Sequence, residues 1–385
     1  MNAPVSRANS FNAEEILEGI CRWVRVESPT TDVAGVNRMM DVASEELQAL
    51  GATIERIPGT DGYGDVVRAT VPGREEGPGL LVLGHLDTVH GVGTIDGPLQ
   101  LRREDDKVYG PGIFDMKGGL YLSVYALRQV LRSGARPRRS VTFMLIPDEE
   151  VGSPSTRALI EETARANTTV LVPEPARLGK VVTGRHAFLR YKLHVHGRPA
   201  HAGADNRVGR SAIRAMGRLI GQIEGWSDYD RAQTYSVGVV QGGTFVNVIP
   251  IECHAEVLCV APTEEDFAEV QAKMASLARN GDEPDADGVR VEVEPGPIRP
   301  LFKPQAGTLG LYETAREVAD GLGFVLEHGQ FGGGSDGNIT GALGVPTLDG
   351  LGVCGAGAHT HQEHLLVSSL EPRARLLAGL FERLA

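Results

Sequence analysis

His85 and Asp87 stand two residues apart in Gly84-His85-Leu86-Asp87, directly after an apolar run. An extended backbone puts such residues on one side, where the carboxylate can orient the imidazole. The pair suits a metal-bound histidine, and it equally suits a turn histidine beside a solvated aspartate. Asp115 is the lone acid in GPGIFDMKGG (110–119), just ahead of a helical pattern. Glycines let the backbone approach a ligand closely, yet the same acid also fits an N-cap. Three consecutive acids, Asp148, Glu149 and Glu150, follow the most apolar run of the chain. Acids at the mouth of a buried strand are costly to desolvate unless a cation meets them, although a solvated acidic turn has the same composition. One such carboxylate can bind a cation while its neighbour handles a proton. Glu174 lies between prolines at the end of another apolar run, and His359 lies in AGAHTH after a late one. Each signal is weak by itself. Taken together, His85, Asp115, Glu150, Glu174 and His359 form a set of imidazoles and carboxylates without thiolate, suited to zinc, manganese or cobalt. The set exceeds the four ligands of a closed structural zinc site, which points to two divalent ions sharing one carboxylate.

The elements that must position these residues follow from periodicity. Continuous apolar runs at 79–84 and 140–147 predict strands buried on both faces, with a helix at 118–131 between them. The helical spacing at 11–24, with Asn12 as its cap, and at 36–50 extends this alternation. The loaded residues then follow the C-terminal ends of strands, where open α/β sheets place their sites. From 189 the pattern changes to strand 189–197, helix 208–223, strands 235–240 and 253–260, helix 264–277 and strand 289–293, an α+β insert with an antiparallel sheet. The acidic turn 280–288 belongs to its surface. Alternation returns with helix 308–322, strand 324–327, helix 335–343, strand 346–351 and helix 368–384. The predicted fold is therefore α/β: a discontinuous domain with a central, mostly parallel sheet (1–186 and 297–385) interrupted by an inserted domain (187–296).

Composition narrows the partners. The 385 residues carry 38 Lys plus Arg against 50 Asp plus Glu, a net charge of −12, which argues against nucleic acid and anionic membrane surfaces. No apolar run reaches the roughly 20 residues of a spanning helix, and the first residues lack a basic and an apolar leader region, so a soluble, cytoplasmic protein is expected. The four cysteines form no C-x-x-C pair and predict no disulfide framework.

In this order, GHLDTV, GIFDMKGG, PDEEVGS, the Glu174-Pro175 pair, GRPAHAG and AHTHQEH resemble the M20 family of dinuclear metallopeptidases and deacylases. The pattern is most similar to the glutamate carboxypeptidase (carboxypeptidase G) type, with desuccinylases and deacetylases as relatives. The resemblance implies that His85 and Glu174 hold one metal, Glu150 and His359 the other, and that Asp115 bridges. It implies a cis peptide bond at Asp115-Met116, Asp87 orienting His85, and Glu149 as the general base. Glutamate at 174, where aminopeptidase relatives carry aspartate, leans toward carboxypeptidase or deacylase chemistry. The insert resembles a dimerisation lid, implying a homodimer in which His201 stabilises an oxyanion in the neighbouring site. Asn247 matches a substrate-contacting asparagine, and Gly333, Gly334 and Ser335 match a loop lining the substrate carboxylate pocket. One departure stands out: Val260 occupies the place where relatives carry an arginine that grips that carboxylate, and valine makes no such contact. Either Arg185 and the glycine loop read the carboxylate instead, or the substrate is a more apolar amide. The expected activity is metal-dependent hydrolysis of an amide bond in a small peptide or N-acyl amino acid, the alternatives being a desuccinylase-type deacylase or a non-catalytic binding protein on the same fold.

Overall fold

A computed structural model describes residues 11–279 and 288–385. The chain divides into two compact units, one of 1–184, 302–331 and 335–385, the other of 185–301 and 332–334. The sequence reading set the divisions after 186 and 296. The later one falls at 301/302 because the last strand of the insert runs on to Arg299. Residues 280–287, the bulk of the acidic turn expected on the insert, lie outside the described residues.

The first unit is built on a six-stranded sheet in the order Thr53–Ile57, Val66–Val71, Val141–Ile146, Leu80–His85, Thr169–Leu171, Thr347–Leu348. Only Val66–Val71 runs against the rest. Alternate side chains of one strand enter two different cores, which is why its sequence is apolar without interruption. Leu80 and Val82 pack with the helices Ala13–Val24, Lys117–Arg132 and Leu370–Leu384, whereas Leu81 and Leu83 pack with Arg157–Arg165 on the opposite face. Each such side chain contributes roughly 1.5–3 kcal/mol by leaving water. The helix Ala13–Val24 starts where expected, since Asn12 Oδ1 accepts from the amides of Glu14 and Glu15 at 2.9 and 3.1 Å.

The predicted strand at 324–327 is corrected: that stretch is irregular, and the strand is His328–Phe331, paired with Val181–Arg185. Gly323, at φ +85°, ends the helix Ala306–Leu322, and the Tyr312 hydroxyl holds the carbonyl of Leu326, so pairing begins later.

The second unit is a four-stranded antiparallel sheet in the order Thr234–Gly242, Glu252–Ala261, Ala187–His196, Arg290–Arg299, with the helices Ala212–Glu224 and Glu264–Ala275. Burial alternates along Ala187–His196 and Glu252–Ala261, the mark of a sheet with one face on a core. All four cysteines are free, Cys253 and Cys259 buried and Cys21 and Cys354 half-buried.

Candidate metal centre

Three neighbouring parallel strands, Val141–Ile146, Leu80–His85 and Thr169–Leu171, end side by side in the first unit, and the chain leaves each with a carboxylate or an imidazole. His85 closes its strand, is 1% exposed, and presents Nε2 toward Asp115 Oδ1 at 3.4 Å, Glu174 Oε1 at 3.8 Å and Glu149 Oε2 at 3.9 Å. Its other nitrogen, Nδ1, donates to the main-chain oxygen of Asp87 at 2.9 Å, with Asp87 Oδ1 at 3.4 Å. The backbone of Asp87 is therefore the hydrogen-bond partner of the ring, and its carboxylate, which also favours the charged imidazole, has further partners of its own. It accepts from the amides of Glu149 and Glu150 and, at 2.7 Å, from the Thr30 hydroxyl, holding the acidic turn against the strand end.

The three acids of that turn separate. Asp148, fully buried, accepts from Ser155 and Thr156 just ahead of the following helix, and burial pushes its carboxyl up. Glu149 and Glu150, in a short 3₁₀ turn ended by Gly152 at φ +102°, face the cluster. Asp115 caps no helix: Met116 is the N-cap of Lys117–Arg132, and no side chain caps it. Instead Asp115 places Oδ1 beside His85 and Oδ2 3.3 Å from His359 Nε2, which lies 3.1 Å from Glu150 Oε2. The Asp115-Met116 peptide bond is cis. Gly119 permits the approach of Glu174, because a Cβ there would collide with the carbonyl of Pro173.

Electrostatically the cluster draws in positive charge. His359 is pushed up to about 11 by hydrogen bonding to Asp115 and then to Glu150. Burial opposes the His85 imidazolium, but Asp115, Asp87 and Glu149 outweigh it and raise the group well above its usual value. Burial likewise opposes the Asp115 carboxylate, and the two imidazoles outweigh it and hold the carboxyl far below its ordinary range. Burial raises Glu150. A buried polar atom without a hydrogen-bond partner is rare, and His85 Nε2 is one. His85, Asp115 and Glu150 each offer an atom within 4.8 Å of the others. An unsatisfied nitrogen facing carboxylate oxygens is a donor set that fits a divalent cation.

Residues to which the sequence reading gave no role complete the site, Lys117 and Glu363 inside its motifs and Ser28 and His90 outside them. The Ser28 hydroxyl donates to Leu86 O at 2.6 Å, and Lys117 Nζ donates to Val26 O at 2.6 Å, its ammonium pushed down to about 7 by burial. Glu363 accepts from three amides of the 112–115 loop and from His90. Sequence reasoning missed these roles because every partner is remote in the chain. A cleft of about 540 Å³ opens beside His359, lined by Val89, His90, Gly91, Thr94, Thr360 and His361.

The remaining sequence-predicted residues are distributed as follows. Ser335, in the first unit, is buried with its hydroxyl donating to Asp349 at 2.6 Å. In the second unit, His201 and Asn247 lie on adjoining segments, with Ala202 N donating to Asn247 O at 2.9 Å; both are exposed. Arg185 is fully buried, and its Nη1 donates to the carbonyl of Gly333 at 2.7 Å. Val260 pairs with Phe188, and Phe188 pairs with Arg299 on its other side. These three residues form one row on one face of the sheet, Arg299 roughly 10 Å from Val260. Arg299 is 4% exposed and packs against Gly334, where a Cβ would meet its side chain at 2.9 Å. Sequence reading passed over it because only strand register relates it to position 260.

Comparison with known proteins supplies the family. Residues 81–383 match the family described as Peptidase family M20/M25/M40. Carboxypeptidase G2 of Pseudomonas sp. (strain RS-16) is 29% identical over 373 residues, covering 94% of this chain and 88% of that protein. A succinyl-diaminopimelate desuccinylase of Alkalilimnicola ehrlichii is 29% identical over 387 residues, covering 96% and 99%. Among solved structures, aminopeptidase PepT from Bacillus cereus ATCC 10987 aligns with a TM-score of 0.75 at 23% identity over 96% of this chain and 98% of that one, a likeness of fold. Among the described residues, no helix is long and apolar enough to cross a membrane.

Proposed function

Because the chain belongs to peptidase family M20/M25/M40, and is a hydrolase acting on C–N bonds, we propose that it cleaves the amide bond of a small peptide or N-acyl amino acid at a centre for two divalent ions. Zinc is the first choice, with manganese or cobalt as alternatives. His85 and Glu174 would hold one ion, His359 and Glu150 the other, and Asp115 both. The observation that carries this is the division of the Asp115 carboxylate, Oδ1 beside His85 at 3.4 Å and Oδ2 beside His359 at 3.3 Å.

Ions held there would supply acidity to a water molecule and polarise the scissile carbonyl. The chain supplies the rest. The hydrogen bond from His85 Nδ1 to Asp87 O selects the tautomer whose Nε2 lone pair faces the cluster. Glu149, anchored through its amide on Asp87, is the movable proton carrier, taking a proton from the water and returning it to the leaving nitrogen. No side-chain nucleophile is needed. Arg299 takes over the reading of the substrate carboxylate that Val260 cannot perform. Arg185 serves the same pocket by holding the loop of Gly333 and Gly334, and Asn247 and His201 keep the roles that the resemblance implies. A homodimer through the inserted unit is supported by its edge strand Thr234–Gly242, which exposes Val239 and Val240, and by the exposed Phe245 and Val246 beyond it.

The desuccinylase relative, also 29% identical, supports a second reading as an N-acyl-amino-acid deacylase. A mass-spectrometric screen of metal-reconstituted protein against mixed N-acyl amino acids and dipeptides tests both. Turnover of carboxylate-bearing amides is expected, lost with a chelator and restored by zinc, manganese or cobalt. Preference for the acyl half or for the C-terminal residue separates the two readings. Reconstituted protein that cleaves no amide defeats both.

A further inference from the structure

We infer that Glu363, together with His90, is the positioning residue of the shared carboxylate: it clamps the loop that carries Asp115 to the segment that carries His359. The inference rests on the reading of Asp115 as a ligand common to two ions. The stretch 112–115 is a turn containing Gly112 at φ +69°, and its own backbone bonds are Ile113 N to Gly110 O at 3.3 Å and Lys117 N to Gly112 O at 3.0 Å, which leave the amides of Gly112, Phe114 and Asp115 to other partners. Those three amides converge on one side chain. Glu363 Oε1 accepts from Phe114 N at 2.9 Å and Asp115 N at 3.0 Å, and Oε2 accepts from Gly112 N at 3.1 Å and from His90 Nε2 at 2.7 Å. A carboxylate offers about four acceptor positions, and each is taken here. The side chain is 1% exposed, so water does not compete for these bonds.

Position 363 matters as much as the bonds. Glu363 lies four residues after His359, and its own main-chain oxygen accepts from Gly110 N at 3.3 Å. One short segment thus carries His359 and also fixes the loop whose Asp115 stands 3.3 Å from that histidine. Releasing the clamp would let Asp115 move relative to His359 and open the space for an ion between them. His90 closes the arrangement from outside, since it is both the fourth donor to Glu363 and a wall of the cleft beside His359. A glutamine at 363 would turn an NH₂ toward an existing donor, so two donors would face each other in a buried place.

The test compares the full-length wild type with Glu363→Gln, His90→Phe and Asp115→Asn. It uses cobalt titration followed by visible absorption, zinc competition against a chromophoric chelator, circular dichroism and steady-state kinetics. Glu363→Gln is expected to weaken zinc binding by about 10–100-fold, as loss of a partner behind a ligand does. It should also alter the cobalt spectrum and lower kcat with KM moved much less. His90→Phe, removing one donor of four, is expected to weaken zinc binding by about fivefold. A Glu363→Gln protein with reduced thermal stability but wild-type zinc affinity and cobalt spectrum overturns the inference. If that variant does not fold, His90→Phe decides alone, and wild-type affinity and spectrum in it overturn the inference. Wild-type protein that takes up no metal instead overturns the reading of the centre. Wild type that binds two ions, and Asp115→Asn that does not, leave that reading standing whatever Glu363 does.

Discussion

Among the described residues, one group of histidines and glutamates gathers at strand ends and another on a sheet face, and they behave differently. At the strand ends of the first unit, His85 and His359 face Asp115, Glu149, Glu150 and Glu174. On one face of the inserted sheet, His194, His196 and His254 stand among Glu252, Glu292 and Glu294. There the strand register puts His254 directly opposite His194, and their Nδ1 atoms meet at 2.8 Å. Carboxylates lie 3.6 to 4.0 Å from the outer nitrogens. Groups standing in register on a flat, partly exposed sheet pair with one another, and such pairs contribute about 0–1 kcal/mol. Groups leaving the ends of three parallel strands converge instead, with more carboxylate than imidazole, and His85, Glu150 and Glu174 are shielded from water while His359 closes the cluster from the exposed side. Nε2 of His85 and Nε2 of His196 both lack a hydrogen bond, but the first faces three carboxylates, Asp115, Glu149 and Glu174, and the second only Glu292, so the first calls for a cation. Residue type is the same in both places; the convergence of several carboxylates on each imidazole makes the difference.

The largest effect that would test this contrast is removal of a shared ligand: Asp115→Asn should abolish binding of both ions, measured by metal analysis after dialysis, and turnover with it. An Asp115→Asn protein retaining two ions would erase the distinction. Glu149→Gln should lower kcat by about 10²–10⁴-fold with metal content unchanged, which separates proton transfer from metal holding. Arg299→Ala should raise KM for carboxylate-bearing amides by about 10–100-fold and leave amides lacking a carboxylate unaffected, the loss of a charged hydrogen bond.

A smaller effect concerns pH. In metal-free protein His359 and His85 have folded-state pKa values above the unfolded value, about 11 for His359. Their stabilisation is present in full below the unfolded value of about 6.5 and fades as pH rises through the folded one. The Tm of metal-free protein should therefore fall from pH 6.5 toward 11, followed by calorimetry, while metal-loaded protein shows a flatter profile because ligating imidazoles are already neutral. A flat profile without metal would remove the electrostatic half of the contrast. The smallest effect belongs to the other cluster: His254→Ala should leave metal content unchanged and move kcat/KM by less than about twofold, as surface substitutions do.

The sequence by itself determined the pieces that local chemistry dictates. Uninterrupted apolar runs announced strands covered on both faces, alternation announced the one-sided sheet of the insert, and Asn12 announced a helix start. The ordered motifs marked His85, Asp115, Glu149, Glu150, Glu174 and His359 because each sits where a strand or helix pattern breaks off. Only the tertiary structure decided how those side chains divide the space: Asp115 turning one oxygen to each imidazole, Asp87 meeting the ring with its backbone oxygen as well as its carboxylate, and Arg185 engaged by glycine carbonyls. Thr30, Glu363 and Arg299 escaped sequence reading for one physical reason. A hydrogen bond spanning 57 or 251 residues, or a shared row across three strands, comes from chain packing and leaves no periodic trace in the local sequence.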